Sequence, residues 1–208
     1  MEALAAELHG TGTEITVIST DLGKQGGAAE LMKIVEDRGL VIDTLINNAG
    51  LGDTGPFDQA DPQRISSMLQ VNVVALTVLL ASIAAFQPGP DMAVYYATKS
   101  YVLSFGRAIG YELRRSGVTV TTLCPGPTAS EFGQVANSQG LLEGPMPVMT
   151  AAEVARQGYA ALKAGRPLII TGLLNKIIAM STRFTPTSVL LMIAGHLYSR
   201  GGTAGGVH

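Results

Sequence analysis

Residues 44–50 read Thr44-Leu45-Ile46-Asn47-Asn48-Ala49-Gly50, a short apolar run that breaks into two asparagines, an alanine and a glycine. The first half (44–47, after Val41 and Ile42) has the length and composition of a buried strand, and the second half the turn chemistry that ends one. Three more runs share this character: 14–19 (EITVIS), 118–123 (VTVTTL) and 168–171 (LIIT). Helical patterning fills the intervals at 27–38, 61–82, 95–116 and 151–164. Strand and helix in alternation predict an α/β chain, its mostly parallel sheet doubly wound with helices on both faces. Such sheets bind ligands beyond the carboxyl ends of their strands. Those ends carry Asp21, Asn47 to Gly50, and Pro125-Gly126-Pro127. Each has a plain reading as turn or cap chemistry. Gathered on one edge of one sheet, they mark a ligand site.

Composition narrows the classes. With 208 residues, 47% hydrophobic and 14% charged, the chain is long enough for a substantial core. A formal charge of -2 and scattered Lys and Arg leave no footprint for nucleic acid. One cysteine, Cys124, excludes a disulfide framework, and with His9, His196 and His208 it makes no metal-ligand spacing. This reads as a reducing, cytoplasmic protein without metal. The amino terminus MEALAAELHG is an amphipathic helical pattern, not a secretory one. The longest apolar stretch, 71–86, is shorter than the ~20 residues a bilayer requires and reads as core. Gly50-Leu51-Gly52-Asp53-Thr54-Gly55 matches GxGxxG, but Pro56 and Phe57 follow where a dinucleotide-binding helix should open. It is rejected as a phosphate loop.

The chemistry-bearing stretch is Tyr95-Tyr96-Ala97-Thr98-Lys99. Tyr95 and Lys99 stand one helical turn apart on one face, thirteen residues after Ser82. A phenol titrates near ~10, so service as a base at neutral pH needs its pKa lowered by about three, or ~4 kcal/mol. An ammonium ~5 Å away at an effective dielectric of ~20 supplies roughly 3 kcal/mol of that. Tyr96 competes geometrically, but the spacing to Ser82 favours Tyr95.

Asp21-Leu22, Asn47-Asn48-Ala49-Gly50, Asn72, Ser82, Tyr95-x-x-x-Lys99 and Pro125-Gly126, in this order, resemble the short-chain dehydrogenase/reductase family, over residues 1 to about 172. The resemblance implies a Rossmann-like domain at 1–172 with a helical extension at 173–208. It implies hydride transfer between NADP, or NAD, and a carbonyl or alcohol substrate, with Tyr95 as general acid/base. Ser82 then hydrogen-bonds the substrate oxygen, Lys99 holds the nicotinamide ribose, and Asn72 positions a proton-relay water. Asp21 and Leu22, Asn47, Ala49, Gly50, Pro125, Gly126 and Ser130 line the cofactor, together with Tyr95 and Lys99. Family dimers further imply a homo-oligomer.

Two departures qualify that expectation. Nothing in the sequence matches the family's TGxxxGxG loop, so the first two strands of the pattern have no counterpart. Only nine residues separate Asn72 from Ser82, too few for the rest of a long helix and the fifth strand. The expected sheet is therefore incomplete, residues 44–47 lose their neighbours, and cofactor binding is weak or absent. The alternative is an inactive, truncated remnant serving as an interaction and dimerisation module. Residues 173–208 alternate apolar turns with single cations, and Pro186 divides them into two short helices. They fit a covered core, a second subunit, or peripheral contact with a membrane surface.

Overall fold

The structure, a computed structural model, describes residues 2–75, 92–130 and 147–201. The chain divides into two compact units, Met1–Asp43 and Thr44–His208.

In the first unit, helix α1 (Glu2–Leu8) runs into a 3-10 turn (His9–Thr11), closed by Gly12 in the left-handed region at φ 77°. Helix α2 (Gly27–Asp37) follows a loop in which Lys24 N–H donates to Asp21 O and Gly27 N–H to Lys24 O. The strand expected at 14–19 is not formed. A strand exists through its ladder, and these residues have β-branched content without an assigned partner among the described residues.

In the second unit, residues 44–47 also carry no ladder, and Leu45 and Ile46 are exposed, the outcome expected for a segment without neighbours. Helix α3 (Pro62–Leu69) starts where sequence chemistry says it should: Asp61 Oδ1 accepts from Gln63 N–H, and Pro62 takes the first helical position. It continues as a π-helical turn, Gln70–Val74. The remainder of the expected 61–82 helix lies outside the described residues. Helix α4 (Ala93–Leu113) is followed by strands β1 (Thr122–Cys124) and β2 (Thr128–Ala129), then β3 (Met149–Thr150). Helix α5 (Ala151–Lys163) is capped by Thr150, whose Oγ1 accepts from Glu153 N–H. Strand β4 (Leu168–Ile170) and helices α6 (Leu173–Ser181) and α7 (Thr187–Gly201) complete the order, with Pro186 between the last two.

The described strands form two parallel pairs, β1 with β4 and β2 with β3. Each parallel partner arrives by a crossover, as in α/β folds. This is an incomplete doubly wound arrangement, narrower than the run 118–123 suggested because pairing begins only at Thr122. Val102 and Leu103 of α4 pack with Val120 and Cys124 to form the core, flanked by Phe105, Ile109, Leu168 and Ile170. Across the other side of β1, Gly158 of α5 lies so close to Leu123 that an added Cβ would come within 2.9 Å of Leu123 Cδ2.

Candidate functional site

Three segments of the second unit converge: the turn after residue 47, the π-helical turn, and the first turns of α4. Asn72, fully buried, sits in the π turn, a geometry that swings a side chain off the regular helical face. Its amide pairs with a backbone. Leu51 N–H donates to Asn72 Oδ1 at 2.9 Å, and Asn72 Nδ2 donates to Leu51 O at 2.8 Å. Nδ2 also donates to Thr98 Oγ1 at 3.2 Å, and Thr98 Oγ1 donates to Tyr95 O at 2.7 Å. One buried network thus fixes the Gly50-Leu51 turn against α4. Both partners, Leu51 through its backbone and Thr98 through its hydroxyl, were missed by motif reading. Thr98 stands inside the Tyr-to-Lys spacing, where only its i−3 back-bonding would have revealed it.

Lys99 is 5% exposed, and its ammonium lies 5.4 Å from the centre of the Tyr95 ring. A Cβ placed on Gly50 would stand 3.6 Å from Lys99 Nζ and 3.7 Å from Asn72 Oδ1. Gly50, Asn72, Tyr95 and Lys99 therefore share one locus. Burial pulls the Lys99 pKa down to about 8, and nearby Cys124 opposes this. The Cys124 thiol is itself pushed up to about 12 by burial, against Arg107 and Lys99. At neutral pH that thiol is uncharged, so desolvation governs the ammonium. Lys99 nonetheless stays mostly protonated at pH 7. Tyr96 is buried against Met92, whereas Tyr95 is half-buried beside Lys99. The phenol with chemical access is Tyr95.

The other expected residues fall variously. Asn47 Nδ2 is a buried donor without an acceptor, beside exposed Asn48 and Ala49. Pro125 and Gly126 follow β1 directly, and Ser130 is an exposed residue whose Oγ donates to Thr128 O at 3.4 Å. Asp21 and Leu22 belong to the first unit, where Asp21 Oδ1 accepts from Gly23 N–H at 2.9 Å in a local turn. Ser82 lies outside the described residues. Gly50 to Gly55 leads into a 3-10 turn (Phe57–Gln59) and not into an α-helix, as its sequence context required. No group of three or more metal-ligating side chains exists among the described residues.

Comparison with known proteins gives a consistent answer. The family model described as "short chain dehydrogenase" matches residues 1–81 and 76–140. Serine 3-dehydrogenase of Agrobacterium fabrum is 30% identical, the match covering 76% of this chain and 72% of that protein. The 3-oxoacyl-[acyl-carrier-protein] reductase of Synechocystis is 25% identical over 68% of this chain and 65% of its own length. Among solved structures, the short-chain dehydrogenase from Sphingobium yanoikuyae in complex with NADPH superposes with a TM-score of 0.74. It is 24% identical and covers 99% of this chain and 84% of that one.

Proposed function

The chain belongs to the short-chain dehydrogenase family, and on that premise we propose an oxidoreductase that moves hydride between a nicotinamide nucleotide and a small carbonyl or alcohol substrate. The observation that carries this reading is the shared locus of Tyr95, Lys99, Asn72 and Gly50. Lys99 Nζ stands 5.4 Å from the centre of the Tyr95 ring, and an ammonium ~5 Å from a phenolate oxygen at an effective dielectric of ~20 is worth roughly 3 kcal/mol, the direction that suits Tyr95 to proton transfer. Asn72 is held by three hydrogen bonds, and so presents its turn to Lys99 without reorganisation. Ser82 would orient the substrate oxygen.

The residues fit the nicotinamide half of such a cofactor. Asn47 Nδ2 offers an unused buried donor, Gly50 leaves room beside Lys99 Nζ, and Pro125, Gly126 and Ser130 follow the strand end. When bound, the nucleotide supplies or accepts the hydride. NADP is the nucleotide we favour, with NAD the alternative; similar solved structures include both an NADPH complex, of the Sphingobium protein, and an NADH complex, of the 3-ketoacyl-(acyl-carrier-protein) reductase from Brucella melitensis. An idle interaction module would have no reason to keep Ser82, Tyr95 and Lys99 together, which favours the enzyme. The deciding experiment combines nucleotide titration with turnover of a carbonyl panel. Tyr95→Phe should lower turnover by about 10²–10⁴-fold with nucleotide affinity nearly unchanged. Undiminished turnover in that variant would remove Tyr95 from the chemistry, and no turnover by the parent would favour the interaction module.

The carboxyl-terminal helices also carry a partner surface. Leu173, Ile177 and Met180 recur at i, i+4 and i+7 along α6, Phe184 follows in the turn after it, and all four are exposed. Lys176 and Arg183 flank this stripe, and no Asp or Glu follows Glu153. No described helix is long and apolar enough to cross a membrane. The pattern suits an anionic lipid surface, on which apolar side chains insert and flanking cations meet headgroups.

A further inference from the structure

The strongest unassigned feature is a polar side chain inside the apolar helix α6. Asn175 is 1% exposed, and its Nδ2 donates to Thr171 O at 2.8 Å while its Oδ1 has no partner. Buried amides are expensive to leave half used, so packing alone does not account for an asparagine here. What it touches does. A Cβ added to Gly126 would fall 2.1 Å from Asn175 Nδ2, 2.6 Å from its Cγ and 2.7 Å from its Oδ1. The Asn175 amide thus occupies the space that a side chain at residue 126 would need. It also abuts Gly172, whose left-handed backbone (φ 81°) turns the chain from β4 into α6.

We propose that Asn175 is a positioning residue for Pro125 and Gly126. It seats α6 on the loop leaving β1 and so sets where the nicotinamide-facing segment stands. Two hydrogen bonds also hold this segment: Met149 N–H donates to Pro127 O at 3.0 Å, and Thr128 Oγ1 donates to Gly126 O at 2.9 Å. The connection of Asn175 to catalysis rests on the proposed cofactor site, whereas the seating itself does not.

The test is a mutant cycle on the full chain, using Gly126→Ala, Asn175→Ala and the double variant. Gly126→Ala should be strongly destabilised in denaturant unfolding, and the double variant should recover much of that loss, because the new methyl then fills the vacated space. Amide hydrogen exchange of the loop at 126–130 should accelerate at least about tenfold in Asn175→Ala, while amides in the middle of α4 keep their protection. In turnover, Asn175→Ala should raise the nucleotide KM with kcat nearly preserved. Additive losses in the cycle, or unchanged loop exchange, would overturn the seating. A parent that binds no nucleotide yet shows the non-additive cycle keeps the seating and removes only the cofactor reading.

Discussion

At the residue scale, Lys99 is the group whose environment most constrains the chemistry. Burial lowers its pKa from 10.5 to about 8. The folded state therefore disfavours the charged form, and the penalty is fully present below pH 8. As pH rises from about 8 to 10.5 the folded protein releases this proton before the unfolded chain does, so stability should rise by about 3 kcal/mol from this group alone. Lys99→Met isolates the effect: the stability difference between parent and variant, measured by denaturant unfolding, should shift toward the parent across that interval. A flat difference would show that the ammonium is solvated. Turnover in the reductive direction should fall over the same range, since neutral Lys99 no longer favours the phenolate. Tyr95, Lys99 and Asn72 were legible because their chemistry is encoded by spacing within one helix or by identity in a motif. Thr98 and Asn175 were not, because each acts through a contact between segments that sequence separates.

At the scale of elements, helices were readable and strands less so. The Asp61-Pro62 start of α3, the Thr150 and Glu153 pair opening α5, and Gly165 (φ 65°) following it are local signals that act within a few residues. A strand is completed by a partner elsewhere, which explains why 118–123 shortened to Thr122–Cys124 and why 14–19 forms none. The α6 stripe shows the same limit in another form. Its apolar spacing reads as core, yet Leu173, Ile177 and Met180, with Phe184 in the turn that follows, are between 55% and 85% exposed. An anionic membrane as occupant predicts cosedimentation with vesicles containing phosphatidylglycerol but weak binding to neutral phosphatidylcholine ones. Ile177→Glu with Phe184→Glu should abolish binding, and Lys176→Gln with Arg183→Gln should weaken it by about 2 kcal/mol, at roughly 1 kcal/mol per cation. Concentration-dependent dimerisation that the same apolar changes abolish, without vesicle binding, would assign the stripe to a second copy instead. A symmetric pairing there sets cations near cations with no acid on these helices, so the lipid outcome is expected.

At the scale of the whole molecule, the two units differ in what holds them. In the first, α2 buries only Gly27, and residues 14–20 have no assigned strand. In the second, α4 closes over β1 and β4, with Val102 and Cys124 fully buried. Local opening costs little where burial and backbone pairing are sparse, and approaches the global cost where they are dense. Cys124 turns this difference into a measurement, as the single thiol in the chain. It has no solvent access and its pKa is pushed up to about 12, so the reactive thiolate is suppressed twice in the folded state. A thiol reagent at pH 8 should therefore leave Cys124 unmodified in buffer. Modification should appear only as denaturant opens the β1–β4 core. Amide exchange in residues 14–20 should meanwhile be fast under native conditions, well before Cys124 becomes accessible. Labelling of Cys124 in buffer at the rate of an unfolded peptide would mean that the core around β1 is not formed.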